Sequence, residues 1–267
     1  MAIVDRMRSR ALLLAGLLLL IASGEALALG LIWFRNPERA RAASPVLRGA
    51  GVAERMGCFS CHGPGGVAGV PNPRSKPGDV PSWVGGNYMM YNESPDEIRE
   101  WILDGVPRRL LADEADMRRR GRQLISMPPF RGRMSAGDLD DLVAYVQSVS
   151  GAIAAPEGPA AEGRSLAVEH GCFGCHGPEG RGLLRNPGSF KGFVPPWDSE
   201  DYRELVASPE EFREWVAHGE TRRFRDNPAA AHFLDAQAIR MPAFEGLLTD
   251  PEIEKLRAYV EWVRTRR

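Results

Sequence analysis

The sequence predicts an all-α protein: an N-terminal transmembrane helix followed by two tandem domains of one fold. Three observations predict it. A long apolar run opens the chain, the remainder matches itself at a constant offset, and each half shows helix start and stop signals with no alternating strand pattern.

The apolar run, Ala11 to Phe34, is interrupted only by Ser23 and Glu25 among strongly polar residues. Its 24 residues suffice to cross a bilayer as a helix. Arg6, Arg8 and Arg10 precede it and favour a cytoplasmic N-terminus, although Arg35, Arg39 and Arg41 follow it. Residues 1–34 therefore read as a membrane anchor, with residues 11–34 in the lipid bilayer. The rival reading is a signal peptide cut after "ALA" at Ala26–Ala28. Cleavage there would leave the odd mature end "LGLIWF", so the retained anchor is preferred. Both readings export the rest of the chain. Glu25 is either protonated within a single span or faces a partner helix or wet cavity.

The self-match has an offset of 114 residues: from Glu54 to Val149, 37 of 96 positions are identical without a gap. A period this long marks a duplicated domain rather than a solenoid unit. Residues 35–46 read as a polar tether and residues 47–150 as the first domain. Residues 151–163, rich in Ala, Pro and Gly, read as a linker, and residues 164–267 as the second domain.

Each half reads as helical in the same order. A short helix leads into each Cys motif, near Leu47–Met56 and Arg164–His170. A middle helix starts at Ser94 or Ser208, with a capping box to Glu97 in the first half, and stops at Gly105 or Gly219. Ile98, Trp101 and Ile102 share one face, as do Phe212, Trp215 and Val216. The last helix begins at Ser135 or Thr249. It presents Leu139, Leu142, Val146 and Val149, or Ile253, Leu256, Val260 and Val263, as one stripe.

The net charge of −1 gives no global field for nucleic acid, so no nucleic-acid partner is expected. All four cysteines fall in two repeated motifs, "GCFSCHGPGG" at Gly57–Gly66 and "GCFGCHGPEG" at Gly171–Gly180. None is left for a disulfide framework. Zinc would want a second pair or two histidines nearby, and the pairs are more than 100 positions apart. Thioredoxin-like chemistry would want strands around the motif. A His directly after the second Cys suits covalent haem c: two thioethers to the porphyrin and an imidazole to the iron. The expected cofactors are two haem c groups, on Cys58, Cys61 and His62 and on Cys172, Cys175 and His176.

The offset also selects the second axial ligands. Met241 is the one Met beyond Cys172, and its counterpart is Met127; each lies 65 positions after its His. Thioether sulfur is a soft ligand for haem iron. His62, Met127, His176 and Met241 are thus the expected metal ligands, and no catalytic residue is expected. His170, His218 and His232 are not repeated and read as surface or helix-end residues. Trp83, Trp101, Trp197 and Trp215 read as cofactor-packing core whose indole N–H groups could reach a propionate. Arg108, Arg109, Arg222 and Arg223 are read either as propionate partners or as solvated helix ends. "MRRRGR", Met117–Arg122, is not repeated; it is either a solvated run or a dock for an acidic partner or lipid headgroups.

The pairing of "CFSCH" with "SMPPF" and of "CFGCH" with "RMPAF" resembles class I c-type cytochromes in tandem, and the whole resembles a membrane-anchored dihaem cytochrome c. The resemblance covers 47–267. It implies two class I cytochrome c domains, in each of which an N-terminal helix crosses the C-terminal helix over a haem with one exposed edge. The "NPxS" and "VP(S/P)W" segments read as an elaborated loop. The function expected is electron transfer, by a subunit or close partner of a respiratory or photosynthetic membrane complex. The candidate partners are a quinol-oxidising complex, a terminal oxidase, a reaction centre or a periplasmic dehydrogenase. The expected place is the cytoplasmic (inner) membrane, single-pass, with the haem domains on the periplasmic side. The alternatives are a dihaem peroxidase-type enzyme, against which two matched Met ligands argue, and an assembly subunit.

Overall fold

The computed structural model describes residues 36–84, 86–152 and 156–265. The expected anchor and Glu25 lie outside the described residues; among those described, no helix is long and apolar enough to cross a membrane. The first half holds α1 (Pro37–Ala43), α2 (Pro45–Arg55), the one-turn α3 (Phe59–His62), α4 (Asn87–Tyr91), α5 (Pro95–Asp104), α6 (Arg108–Leu111), α7 (Glu114–Arg120) and α8 (Ala136–Ser150). The second holds α9 (Pro159–Glu169), α10 (Phe173–His176), α11 (Glu200–Leu205), α12 (Pro209–His218), α13 (Arg222–Arg225), α14 (Pro228–Ala236) and α15 (Asp250–Thr265). Among the described residues there is no strand. Isolated bridges recur at the same offset, Pro71 with Asp79 and Arg185 with Phe193.

Local chemistry accounts for the helix ends. Ser135 and Asp138 form a reciprocal capping box on α8. Ahead of α15 only one arm of that box forms: the Glu252 carboxylate accepts from the Thr249 N–H and hydroxyl, while the Glu252 N–H bonds the Thr249 backbone carbonyl. The box expected at Ser94 does not form. Ser94 occupies the N-cap, but the Glu97 carboxylate accepts from the Glu93 N–H at 2.9 Å and is held by Arg109 at 2.7 Å. A guanidinium is the stronger partner, so it dictates where the carboxylate points. The segment read as a tether is helical over α1, and α2 begins at Pro45, capped by Ser44. The segment read as a linker already contains the start of α9, where Ala160 and Gly163 are buried.

Among the described residues the core falls into two clusters. In the first, Val46, Val52 and Ala53 of α2 pack with Leu142, Val143 and Val146 of α8 and Ile98 and Ile102 of α5. In the second, Ala167 of α9 packs with Leu256, Val260 and Val263 of α15 and Phe212 and Val216 of α12. Burying each Val, Leu, Ile or Phe among them contributes about 1.5–3 kcal/mol. Val149, expected on the buried stripe, is only partly covered. The crossings of α2 with α8 and of α9 with α15 are made at glycine. A Cβ on Gly49 would lie 1.9 Å from the Asp141 carbonyl oxygen, and one on Gly163 would lie 1.9 Å from that of Lys255. Beside the first crossing Arg48 makes a two-pronged bond to Asp141, at 2.8 Å for each prong. Beside the second, Glu162 meets Lys255 at 2.5 Å with the signs exchanged. The halves touch where Ser148 of α8 donates to the Pro178 carbonyl at 3.1 Å.

Candidate functional site

Each Cys motif is a single helical turn. The His62 N–H bonds the Cys58 carbonyl and the His176 N–H bonds the Cys172 carbonyl, both at 3.0 Å. Residues at i, i+3 and i+4 then share one face, which sets both sulfurs and the imidazole together. All four thiols are free. Burial pushes the Cys58 and Cys172 thiols up, the opposite of an activated thiolate. Among the described residues no three His, Cys, Asp or Glu side chains are grouped so as to hold a metal ion.

An aromatic cage stands behind each imidazole. Trp83 lies 4.9 Å from the His62 ring and contacts Phe59 and Tyr145; Trp197 lies 5.1 Å from His176 and contacts Phe173 and Tyr259. His62 Nδ1 lies 2.8 Å from the Pro81 carbonyl. A carbonyl can only accept, so Nδ1 carries the proton and Nε2 keeps its lone pair. His176 Nδ1 is buried and makes no hydrogen bond. Burial lowers both imidazoles, His176 to about 4, so each is neutral and able to act as a ligand.

Met127 and Met241 sit in loops held from three sides. Upstream, Asn72 Nδ2 donates to the Ile125 carbonyl at 2.9 Å and its Oδ1 accepts from the Ile125 N–H at 2.8 Å. Asn186 makes the same two bonds to Ile239, both at 2.8 Å. Downstream, the Phe130 N–H reaches the Ile102 carbonyl at 3.0 Å, and the Phe244 N–H reaches that of Val216 at 3.1 Å. Beneath lie Gly105 and Gly219, both left-handed C-terminal stops of their helices. A Cβ there would come within 2.5 Å of the Met127 carbonyl oxygen, or 2.3 Å of that of Met241. The sequence reading passed over Asn72 and Asn186 as loop; the available signal was their identity at the common offset.

In the second half, Cys172, Cys175, His176 and Met241 line one cavity of about 240 Å³. Its other walls include Phe193, Trp215 and the buried Lys191, which pairs with Asp201 at 2.8 Å and with Glu204. In the first half, Cys58, Phe59, Trp83 and Met127 pack on one core cluster.

Several other expectations resolve differently. Trp101 Nε1 donates to the Tyr91 carbonyl at 3.3 Å and Trp215 Nε1 to that of Leu205 at 3.0 Å, so these two indoles are committed to backbone rather than to a propionate. Arg109 pairs with Glu97 and Glu93, Arg223 with Glu211, Arg108 with Glu100 and Arg222 with Glu214. The repeated arginines thus answer repeated carboxylates on α5 and α12. Within "MRRRGR", Arg119 and Arg120 pair with Asp116 and Arg118 with Glu114. Arg120 also covers the Trp101 ring at 4.8 Å. His218 and His232 are exposed, whereas His170 closes α9 and lines the cavity beside Phe244.

Residues 44–146 match the family described as cytochrome C oxidase, cbb3-type, subunit III. The match supports a cytochrome c domain over this segment. No curated protein and no solved structure matches the chain. A cytochrome c domain binds haem c covalently and transfers electrons, and the donor set here fits that cofactor: paired thiols, a neutral imidazole and a thioether. The buried His176 imidazole, which lines an apolar cavity together with Cys172, Cys175 and Met241, fits it as well.

Proposed function

We propose that the chain is a membrane-tethered dihaem cytochrome c that carries electrons on the periplasmic side of the cytoplasmic membrane. In this reading residues 47–150 and 164–267 each hold one haem. Cys58 with Cys61, and Cys172 with Cys175, would attach the porphyrins; His62 with Met127, and His176 with Met241, would ligate the irons. The single observation that supports it best is the second half's cavity, which gathers the repeated thiols, imidazole and thioether on its walls. Haem c, when bound, supplies an iron that takes up and gives back one electron. The chain's own residues would exclude water around it, keep the imidazole neutral and supply two ligands to each iron, a set that suits electron transfer rather than substrate binding. Residues 11–34 hold the domains at the bilayer and raise the effective concentration at membrane partners. Among the partners expected from the sequence, the matched family's description favours a terminal oxidase of the cbb3 type. A pyridine haemochrome assay on the detergent-solubilised full chain tests the reading. Two covalent haems per polypeptide are expected, and fewer than two refute it.

A further inference from the structure

We propose that Asn72 and Asn186 are positioning residues that keep Met127 and Met241 bound to iron. The inference rests on the His/Met ligation proposed above and adds two residues to it. Both asparagines are buried, at 3% and 4% exposure, in segments without helix or strand. Each spends its carbonyl and its amide on the two backbone groups of one isoleucine, two residues before the Met. An amide side chain of this length closes that pair as a neighbouring strand would, and no strand is present to do so. The second anchor lies three residues after the Met, at Phe130 and Phe244, and Pro128 or Pro242 stiffens the span between. Each thioether is thus presented from a six-residue bridge, Ile125 to Phe130 or Ile239 to Phe244, pinned at both ends.

The pinning matters because a neutral thioether competes for iron with any external ligand. What it lacks in intrinsic donor strength must come from being held in place before the bond forms. Without the clamp, the isoleucine N–H and C=O lose their partners and the Met segment can swing away.

The test uses the full haem-loaded chain in detergent, with Asn72→Ala and Asn186→Ala made separately. The readouts are haem count, the thioether-to-iron charge-transfer band and imidazole titration. Each variant is expected to keep two haems and lose about half of the band. Imidazole affinity at one centre should rise roughly 30-fold, the equivalent of two lost hydrogen bonds. Asn186→Asp, which keeps the acceptor for the Ile239 N–H, should fall between. If the alanine variants fail to take up haem, Asn72→Asp and Asn186→Asp decide the matter by the same readouts. Ser199→Ala serves as the control. It removes buried bonds to the Pro196 carbonyl and the Tyr202 N–H in the same half and should leave band and titration unchanged. Asparagine variants with an intact band and wild-type imidazole affinity overturn the clamp alone. A wild-type chain with two haems and no thioether band overturns the ligand assignment and the clamp with it.

Discussion

Gly49→Ala sets two physical effects against each other. Gly49 lies within α2, and intrinsic propensity favours alanine there by about 1 kcal/mol. The crossing opposes it. The new Cβ would stand 1.9 Å from the Asp141 carbonyl oxygen, 2.5 Å from its carbon and 2.8 Å from Tyr145 Cβ. The first two are backbone atoms of α8 and cannot rotate aside. Moving the oxygen from 1.9 Å to the 3.0 Å limit for real Cβ contacts opens the crossing by about 1.1 Å. A gap of that size forfeits a quarter to a half of the dispersion energy of the atoms facing it. Those atoms belong to Val52, Ala53, Leu142 and Val146, the centre of the first core cluster. Overpacking of this kind costs about 3 kcal/mol at the upper end of its usual range, so about 2 kcal/mol of net destabilisation remains after the propensity gain. For a domain of about 100 residues that lowers Tm by roughly 10 °C. Thermal unfolding of the haem-loaded chain, followed by circular dichroism, measures it, and Gly163→Ala repeats the experiment against Lys255. Equal or raised stability in both variants would refute the packing reasoning and leave propensity as the controlling effect.

Other outcomes follow from the same geometry. Arg48→Glu sets like charges against Asp141 and should cost about 1 kcal/mol; adding Asp141→Lys should restore stability, because Glu162 with Lys255 already shows that arrangement. A double-mutant cycle in urea reads the coupling, and additivity would sink it. Met241→Ala should turn one haem high-spin and remove half of the thioether band, while an unchanged spectrum excludes Met241 as ligand. The Arg109 and Arg223 guanidiniums hold the Glu97 and Glu211 carboxyls below the usual carboxylate range. Because the folded values lie below the unfolded ones, these pairs stabilise fully above the unfolded pKa of about 4.3 and lose that contribution as pH falls through the folded value. Glu97→Gln should therefore flatten the acid limb of a urea-midpoint profile; an acid limb as steep as that of the wild type would count against the assignment.

The helical class was legible in the amino-acid order, and the repeat at one offset with its eight candidate cofactor residues is a reading of that order alone. Each depends on chemistry that is local or periodic. Cys58, Cys61 and His62 share a helical turn, the apolar stripe of α8 or α15 has a period near 3.6, and a duplicated gene keeps one offset throughout. Side-chain pairing was not legible in the same way. Ser94 and Glu97 spell a capping box, yet Arg109, twelve residues beyond Glu97, takes the carboxylate. Arg48 and Glu162 hold equivalent places with opposite charge, and only contact with their partners, 93 residues on, shows that the sign is exchanged on both sides. Asn72 and Asn186 look like ordinary loop residues, because the backbone groups they satisfy lie 53 positions away. Sequence by itself determined the three main helices of each half and which atoms are suited to iron, since propensity, periodicity and donor chemistry belong to single residues and short spacings. The tertiary structure alone decided which carboxylate each guanidinium takes and what holds each methionine in place, since those choices are made by side chains that meet only when the chain closes on itself.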